Sequence, residues 1–365
     1  MLIVHPWIVE SRGGERTFYE IARAFPRADL ALLFLRSARA PADIVQRVAQ
    51  LSFLSSPVFD RIPYRLLAPL LPWAAESIKT EKYDVILSSS SGWSHGVRTN
   101  GHPHLCYMYT PPRYLWLSDR LPARFPTAAG AGLKLLRPFL RRWDRAAARR
   151  VSRFAAISRA IRDRINNIYA RDAEIIYPPV DVARMHVGPD DGRDFALTVA
   201  ELVPYKRVDA AVVAARNARV PLVIVGDGPE RPRLARLADG ADVRLVGRIS
   251  EERLVDLMSR ARLFLFPAVE DFGIATVEAL ASGTPVVGVD AGGTAEIVPP
   301  GMGELVSGPD GEMLAEAVAK VWHRSFDRAA LRRHAESFGL ERFRTQVQAW
   351  VADGHAIEPV HVSDR

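Results

Sequence analysis

The chain has 365 residues, 48% hydrophobic and 25% charged, ordinary globular usage and enough for two cored domains. Its single cysteine, Cys106, excludes an internal disulfide and suits a reducing cytoplasm; the apolar start, Met1 to His5, is too short for a signal peptide, and no stretch approaches the ~20 apolar residues that span a bilayer. Residues 1–180 carry 27 Lys+Arg against 14 Asp+Glu, and residues 181–365 carry 22 against 28, so the basic half expects an anionic partner, phosphate or membrane surface, and, with no RNA- or DNA-reading module, not nucleic acid.

In chain order, Leu2-Ile3-Val4 reads as a strand, followed by a loop through Gly13-Gly14 and a helix from Glu15 to about Phe25. Leu30 to Leu35 is a second strand. Val85-Ile86-Leu87 is a third, ending in the serine run Ser88 to Ser91. Leu105 to Tyr109 and Phe154 to Ile157 follow, with Ser158 capping a helix from Arg159 to Tyr169. Ile175-Ile176-Tyr177 runs extended into Pro178-Pro179. After the polar segment Gly188 to Asp194 a second cycle begins, with strands Ala196 to Ala200, Leu222 to Val225, Val243 to Val246 and Leu263 to Phe266. This alternation predicts an α/β chain of two doubly wound parallel-sheet domains, residues 1–182 and 183–338, with a linker near 178–193. A last segment, 339–365, opens with a helix at about Leu340 to Val351.

The densest motif lies between Leu263 and Gly288. An apolar strand stops at Pro267; an acidic loop with Glu270 and Asp271 passes through Phe272-Gly273 into a short helix; Gly283 and Pro285 end that helix, and Val286, Val287 and Val289 start the next strand. The loop therefore lies at the carboxyl end of a strand and feeds a helix amino terminus, where open α/β sheets bind phosphates. Glu270 and Glu278 offer one carboxylate to sugar hydroxyls and one to a ribose diol.

That block resembles the donor signature of retaining glycosyltransferases of family 4, which have two Rossmann-like domains in the GT-B arrangement facing a cleft, with a last helix crossing back to the first domain. The resemblance implies that Glu270 faces the donor sugar, Glu278 holds the nucleotide ribose, and the backbone of Phe272, Gly273 and Ile274 meets the diphosphate and sugar. Ile3-Val4-His5-Pro6-Trp7 and Arg12-Gly13-Gly14-Glu15 look like the family's opening strand and glycine loop, which places Gly13 and Gly14 at the donor. Lys206, in Leu202-Val203-Pro204-Tyr205-Lys206-Arg207, matches the family's diphosphate-clamping lysine. Glu201 stands where the family has an arginine, a loss for which Arg207 is a candidate compensator. Arg248 and Ile249 occupy the place where relatives hold the base. Gly226-Asp227-Gly228-Pro229 and Gly292-Gly293-Thr294 match family turns and are read as structural.

Cys106 to Trp116 resembles a Tyr-x-His-Thr-Pro-x-Arg-Tyr segment of bacterial surface-polysaccharide enzymes, with Tyr109 in the histidine's place. A phenol donates a hydrogen bond but is not an imidazolium at neutral pH. Arg113 and Tyr114 are the acceptor-side candidates, Arg113 for an acceptor phosphate. On residues 133–150, Leu133, Leu136, Phe139, Leu140, Trp143 and Ala147 form an apolar face amid arginines. That helix either covers the sheet or lies against anionic lipid with Trp143 as anchor.

No Asp-x-Asp pair or His/Cys cluster has metal-ligand spacing, so no metal and no cofactor is expected, the nucleotide-diphosphate sugar being a substrate. Leaving-group charge then falls to Lys206, the glycine loop and helix dipoles. With no obvious covalent nucleophile, departure and attack on one face are expected, with Glu270, Lys206 and Tyr109 as the catalytic set. The expected activity is hexose transfer, with GDP-mannose favoured as donor, to a glycan or polyprenyl-diphosphate-linked acceptor at the inner face of the plasma membrane. Two other readings share the architecture: a nucleotide-sugar 2-epimerase, and a non-catalytic nucleotide-sugar-binding subunit of an assembly complex.

Overall fold

The computed structural model describes residues 1–9, 13–36, 40–117, 127–189 and 192–355, except for the side chains of residues 65, 127–133 and 355. The chain divides into two compact units, Met1–Tyr177 together with Phe343–Arg365, and Pro178–Arg342. The divisions fall five residues before the expected boundary at 182 and four residues beyond that at 338.

The first unit is built on seven strands: β1 (Leu2–Ile8), β2 (Asp29–Leu35), β3 (Val48–Leu51), β4 (Ile86–Ser90), β5 (His104–Met108), β6 (Arg153–Ala156) and β7 (Ala173–Ile175). They pair in parallel in the order β3-β2-β1-β4-β5-β6-β7, with Val4 opposite both Ala31 and Ser88. The apolar runs of β1 and β2 are buried on both faces, as a sheet covered by helices on either side requires. Edge strand β3 was not legible in the sequence because alternate residues are exposed and no apolar run marks it. Ser88, Ser89 and Ser90 are strand residues of β4 with no exposed surface, and Ser91 lies past the strand's end.

The helix after β1 spans Gly13–Ala24, so both glycines open the helix and not a preceding loop. The last helix, Leu340–His355, is four residues longer than expected and packs on the first unit from Phe343 onward. The Phe343 ring meets Tyr107 edge-on at 5.7 Å. Arg344 forms an ion pair with buried Glu20 at 2.6 Å, and Gln348 donates to the Ala24 carbonyl at 2.7 Å. The return of the last helix to the first domain is thus carried by a ring contact, a charge pair and a helix-end carbonyl.

The second unit has six parallel strands: β8 (Ala196–Val199), β9 (Leu222–Val225), β10 (Val243–Gly247), β11 (Leu263–Phe266), β12 (Val286–Val289) and β13 (Gly303–Val306), in the order β10-β9-β8-β11-β12-β13. β13 is another edge strand without a strong apolar signal. One face of the sheet is packed by the helices Val208–Ala218 and Gly311–Trp322, whose alanines and valines join Leu222, Ile224 and Leu265 in a continuous core. Both sheets have the doubly wound order, with the direction of progression reversing once, between β1 and β4 and between β8 and β11.

Candidate functional site

In the second unit the loops at the carboxyl ends of β8 and β11 flank the reversal point, where an open sheet leaves a crevice. Lys206 ends a short 3-10 turn after β8, and Glu270 lies in the loop after β11. Lys206 Nζ is ion-paired to Glu270 Oε1, and both side chains are mostly buried, 15% and 24% exposed. The two residues predicted to meet a donor's phosphate and sugar are therefore brought into direct contact. Arg207 follows at φ +50°, a left-handed residue that caps the Val208–Ala218 helix and bonds Asp209 at 3.3 Å. Glu201, with its backbone carbonyl accepting from Val203 at 2.9 Å, sits half-buried in the same β8 loop.

The loop carrying Glu270 is held by glycines from further along the chain. Gly293 N–H donates to the Glu270 carbonyl at 2.9 Å. A Cβ on Gly292 would lie 2.2 Å from the Glu270 carbonyl oxygen, and one on Gly293 1.9 Å from that of Phe272. The Gly292-Gly293 turn is structural, as read from the sequence, and what it supports is the loop of the candidate site. Phe272 is buried and its ring packs on Phe338 at 5.8 Å, so the residue offers this loop its backbone and not its ring. Gly273 at φ +107° turns the chain into the Ile274–Ala281 helix, where Ile274 is the first residue.

Glu278 lies on that helix, 7% exposed, and is ion-paired to Arg184, which also reaches Glu251 at 3.2 Å. Arg184 carries no sequence signal; it lies in a one-turn 3-10 segment, Val182–Arg184, within the expected linker, and only folding puts it beside Glu278. Arg248 is exposed and Ile249 half-buried after β10, ahead of Ser250, which caps the Glu251–Arg260 helix. Among the described residues no group of three or more His, Cys, Asp or Glu is arranged to hold a metal ion.

In the first unit, an open hollow is lined by Trp7, Gly14, Glu15, Tyr64, Ser91 and Tyr109, with His5 at its base. Glu15 is buried and its Oε1 accepts from Val9 N–H at 2.6 Å. Gly14 is exposed, and a Cβ there would meet no atom within 4 Å. Packing within the protein therefore does not demand glycine at this position. Arg12 lies outside the described residues. Tyr109 is 7% exposed and hydrogen-bonded to Ser89 Oγ at 2.7 Å, and burial pushes its phenol well above the usual range. His5 Nδ1 lies 3.1 Å from the same Ser89 Oγ and 3.2 Å from the Ser89 carbonyl oxygen, while the ring stacks on Phe18 at 4.4 Å. Burial lowers the His5 pKa to about 3, so the ring is neutral. His5 and Ser89 are members of the site that sequence reasoning missed.

Arg113 opens a short helix, Arg113–Trp116, just past β5. Tyr114 stacks on buried Trp93 at 6.1 Å and its hydroxyl accepts from Trp93 Nε1 at 3.3 Å, a packing role for a residue expected at an acceptor. Along the long helix Thr127–Arg149 the predicted apolar face divides, and Trp143 follows the packing reading of the two left open. Trp143 does not face outward as an anchor: it packs on Trp93 and donates to Glu76 at 2.9 Å. Arg137 and Arg141 both donate to the Leu115 carbonyl, and Arg141 and Arg145 flank the Trp116 ring. Leu140 and Ala147 are buried, whereas Leu136 and Phe139 of the predicted apolar face are exposed, with Leu135 beside them. The Leu133 side chain lies outside the described residues.

The two doubly wound parallel sheets are the Rossmann-like architecture of each half of a GT-B glycosyltransferase. The family model described as Glycosyltransferase Family 4 matches residues 11–184 and that described as Glycosyl transferases group 1 matches 181–338, so nearly the whole chain is accounted for. The chain belongs to the GT-B glycosyltransferases of family 4. It is 32% identical over 157 residues, 38% of its own length, to a GDP-mannose-dependent monoacylated alpha-(1-6)-phosphatidylinositol monomannoside mannosyltransferase of Corynebacterium glutamicum. A D-inositol 3-phosphate glycosyltransferase of Rhodococcus erythropolis is 33% identical over 183 residues, 44% of this chain. In both cases the match spans 41% of the relative's length. Among solved structures, Anabaena HepE in complex with UDP superposes with a TM-score of 0.69 over 96% of this chain and 99% of HepE, at 18% identity, a likeness of fold.

Proposed function

We propose that the protein is a retaining hexosyltransferase that moves mannose from GDP-mannose to a glycan or lipid-linked acceptor in bacterial surface-polysaccharide assembly. The observation that carries the reading is the Lys206–Glu270 pair at the β8/β11 reversal point, a cation for a leaving diphosphate held against a carboxylate for sugar hydroxyls. Relatives named as GDP-mannose-dependent support the donor. Gly13 and Gly14 supply backbone to the donor; Arg207, Arg248 and Ile249 are assigned to the diphosphate and base, and Glu278 to the ribose. Tyr109 meets a sugar hydroxyl and Arg113 an acceptor phosphate. Leaving-group charge is met by Lys206 and main-chain amides without a metal, and the departing phosphate oxygen takes the acceptor proton on the same face.

Calorimetric titration with GDP, UDP, ADP and dTDP, with and without EDTA, tests the donor site. Transfer from the matching sugar nucleotide, with the product anomer read by NMR, tests the reaction. GDP preference and an α-product from an α-donor are the expected results; UDP preference moves the donor to glucose or galactose, and inversion removes the mechanism.

We infer that the acceptor lies at an anionic membrane. Trp73 and Phe139 stack at 6.4 Å while about half exposed, and Leu135 is 82% exposed, an apolar cluster flanked by exposed Lys134 and Arg142. Among the described residues no helix is long and apolar enough to cross a membrane. Flotation with vesicles containing anionic lipid, lost on changing Trp73 and Phe139 together to serine, is the expected outcome; equal flotation of that variant rules the patch out.

A further inference from the structure

The hollow in the first unit ends in a chain of three buried polar groups that runs from β1 through β4 to the end of β5. His5 Nδ1 lies 3.2 Å from the carbonyl oxygen of Ser89, which can only accept a hydrogen bond. A neutral imidazole carries one proton; the ring also bonds the Trp7 backbone, and the two close contacts at Nδ1, both to Ser89, assign the proton to Nδ1. The same N–H then faces Ser89 Oγ at 3.1 Å, which leaves the serine's own proton for its other neighbour, Tyr109 Oη, at 2.7 Å. Tyr109 Oη, already accepting from Ser89, has its own proton left to point into the hollow.

We propose that His5 and Ser89 are positioning residues that orient the Tyr109 hydroxyl as a hydrogen-bond donor toward a hydroxyl oxygen of the bound sugar. The direction of donation is set at His5 and passed along Nδ1–H to Ser89 Oγ–H to Tyr109 Oη–H. Three features of the surroundings fit the role. The His5 ring is fixed by stacking on Phe18 at 4.4 Å, Ser89 is wholly buried in a central strand, and Ser94 Oγ donates to the Ser89 carbonyl at 2.9 Å. The donor is accordingly pre-aimed, so no rotor must be frozen when substrate arrives. Trp7 and Tyr64, rings 6.0 Å apart, supply the hollow with the aromatic wall suited to a sugar ring.

The inference rests on the transferase reading, and its test has one arm that does not. His5→Phe keeps a ring against Phe18 but removes the Nδ1 proton; His5→Asn keeps an N–H donor near that position; Ser89→Ala cuts the chain in the middle. With the sugar nucleotide chosen by titration, kcat is expected to fall about tenfold in His5→Phe and in Ser89→Ala, with donor KM changed less than about threefold, and to stay within about threefold of native in His5→Asn. Tyr109→Phe is expected to cost about tenfold alone and less than about twofold on the Ser89→Ala background, since coupled groups do not add. Equal kcat in His5→Phe and His5→Asn, or an undiminished Tyr109→Phe loss on the Ser89→Ala background, overturns the proposal. The second arm is the 15N spectrum of histidine-labelled full-length protein, with His5 assigned by its loss in His5→Asn. An Nδ1–H tautomer that stays neutral down to pH 5 is expected, and an Nε2–H tautomer overturns the relay whatever the turnover. Protein that shows the Nδ1–H tautomer but transfers no sugar loses the transferase reading, and with it the role in turnover, while the direction of the hydrogen bonds stands.

Discussion

Lys206 and Glu270 are 64 residues apart in sequence and form one ion pair joining the loops after β8 and β11. Each charge is held mostly out of water by its partner, so neither is free to swing into solvent. A lysine is a compact point charge with three donors, which lets it share a carboxylate and a phosphate in one site. A diphosphate that enters this crevice therefore competes with Glu270 for part of the ammonium while the carboxylate turns to sugar hydroxyls. On the proposed reading, the pair is a preset polarity, cation toward the leaving group and anion toward the sugar.

Removing either charge should separate binding from chemistry. Lys206→Met is expected to lower kcat about 100-fold, the scale of losing one transition-state donor, and to weaken nucleoside diphosphate binding as well. Glu270→Gln releases Lys206 from its carboxylate, so nucleoside diphosphate should bind as tightly as in the native protein or more so, while sugar transfer falls. Calorimetry and single-turnover transfer on the same variants decide the matter; parallel loss of binding in both would show that the pair is only structural.

Glu278, proposed for the ribose, is held by Arg184 in the same way. Glu278 is 7% exposed and its partner Arg184 bridges to Glu251. Glu278→Gln is expected to weaken nucleoside diphosphate binding about tenfold, the value of one or two hydrogen bonds to a charged acceptor, with inorganic pyrophosphate binding unchanged. Equal weakening of both ligands would move Glu278 from the ribose to the support of the loop.

Two glycines are predicted to respond in opposite ways to alanine. At Gly293 the backbone is helical and the problem is space: the new Cβ would sit 1.9 Å from the Phe272 carbonyl oxygen. The β11 loop must shift, at about 1–3 kcal/mol, so Gly293→Ala should lower the melting temperature and weaken donor binding together. At Gly14 a Cβ meets nothing, and alanine is the better helix former by up to about 1 kcal/mol. Gly14→Ala should therefore melt no lower than the native chain and still lose transfer, a combination that only a ligand approaching the backbone produces. Full activity in Gly14→Ala would remove that ligand from the Gly13–Ala24 helix.

What could be read in advance divides along physical lines. The central strands β8, β9 and β11 were legible because a fully buried parallel strand is a short apolar run with sharp ends. Edge strands β3 and β13 were not, since their half-exposed residues carry no such run, whereas β10, an edge strand equally exposed, was read from Val243, Leu245 and Val246. The serines of β4 look like a loop by composition, yet each finds a buried partner: Ser88 meets His104 Nε2 of β5 at 2.8 Å, Ser89 meets Tyr109 just past β5, and Ser90 meets His95 Nδ1, in the turn after β4, at 3.3 Å. Buried hydroxyls are tolerated when satisfied, and nothing local in the sequence announces the partner. For the same reason Lys206, Glu270 and Glu278 could be picked from a motif, whereas His5, Ser89 and Arg184 emerge only from the register of β1 against β4 and the placement of the linker. Trp143 was open to either a packing or an interface reading on its amphipathic context alone, and Trp93 and Glu76 take it inward.

Those buried imidazoles also fix how the fold answers acid. Burial lowers the pKa of both His5 and His104 to about 3, against about 6.5 in the unfolded chain. A depressed histidine pKa means that the unfolded chain takes up protons the folded chain refuses. The stability from both groups is therefore fully present above about pH 6.5 and is lost as pH falls from there toward 3. At pH 5 each histidine should cost roughly 2 kcal/mol relative to pH 7, so urea midpoints should fall steeply across that window. His104→Asn, measured over the same pH range, should lie below the native protein at pH 7 because Ser88 loses its ring partner, yet show a shallower decline toward pH 5. A native slope no steeper than that of His104→Asn would mean that His104 takes up its proton in the folded state.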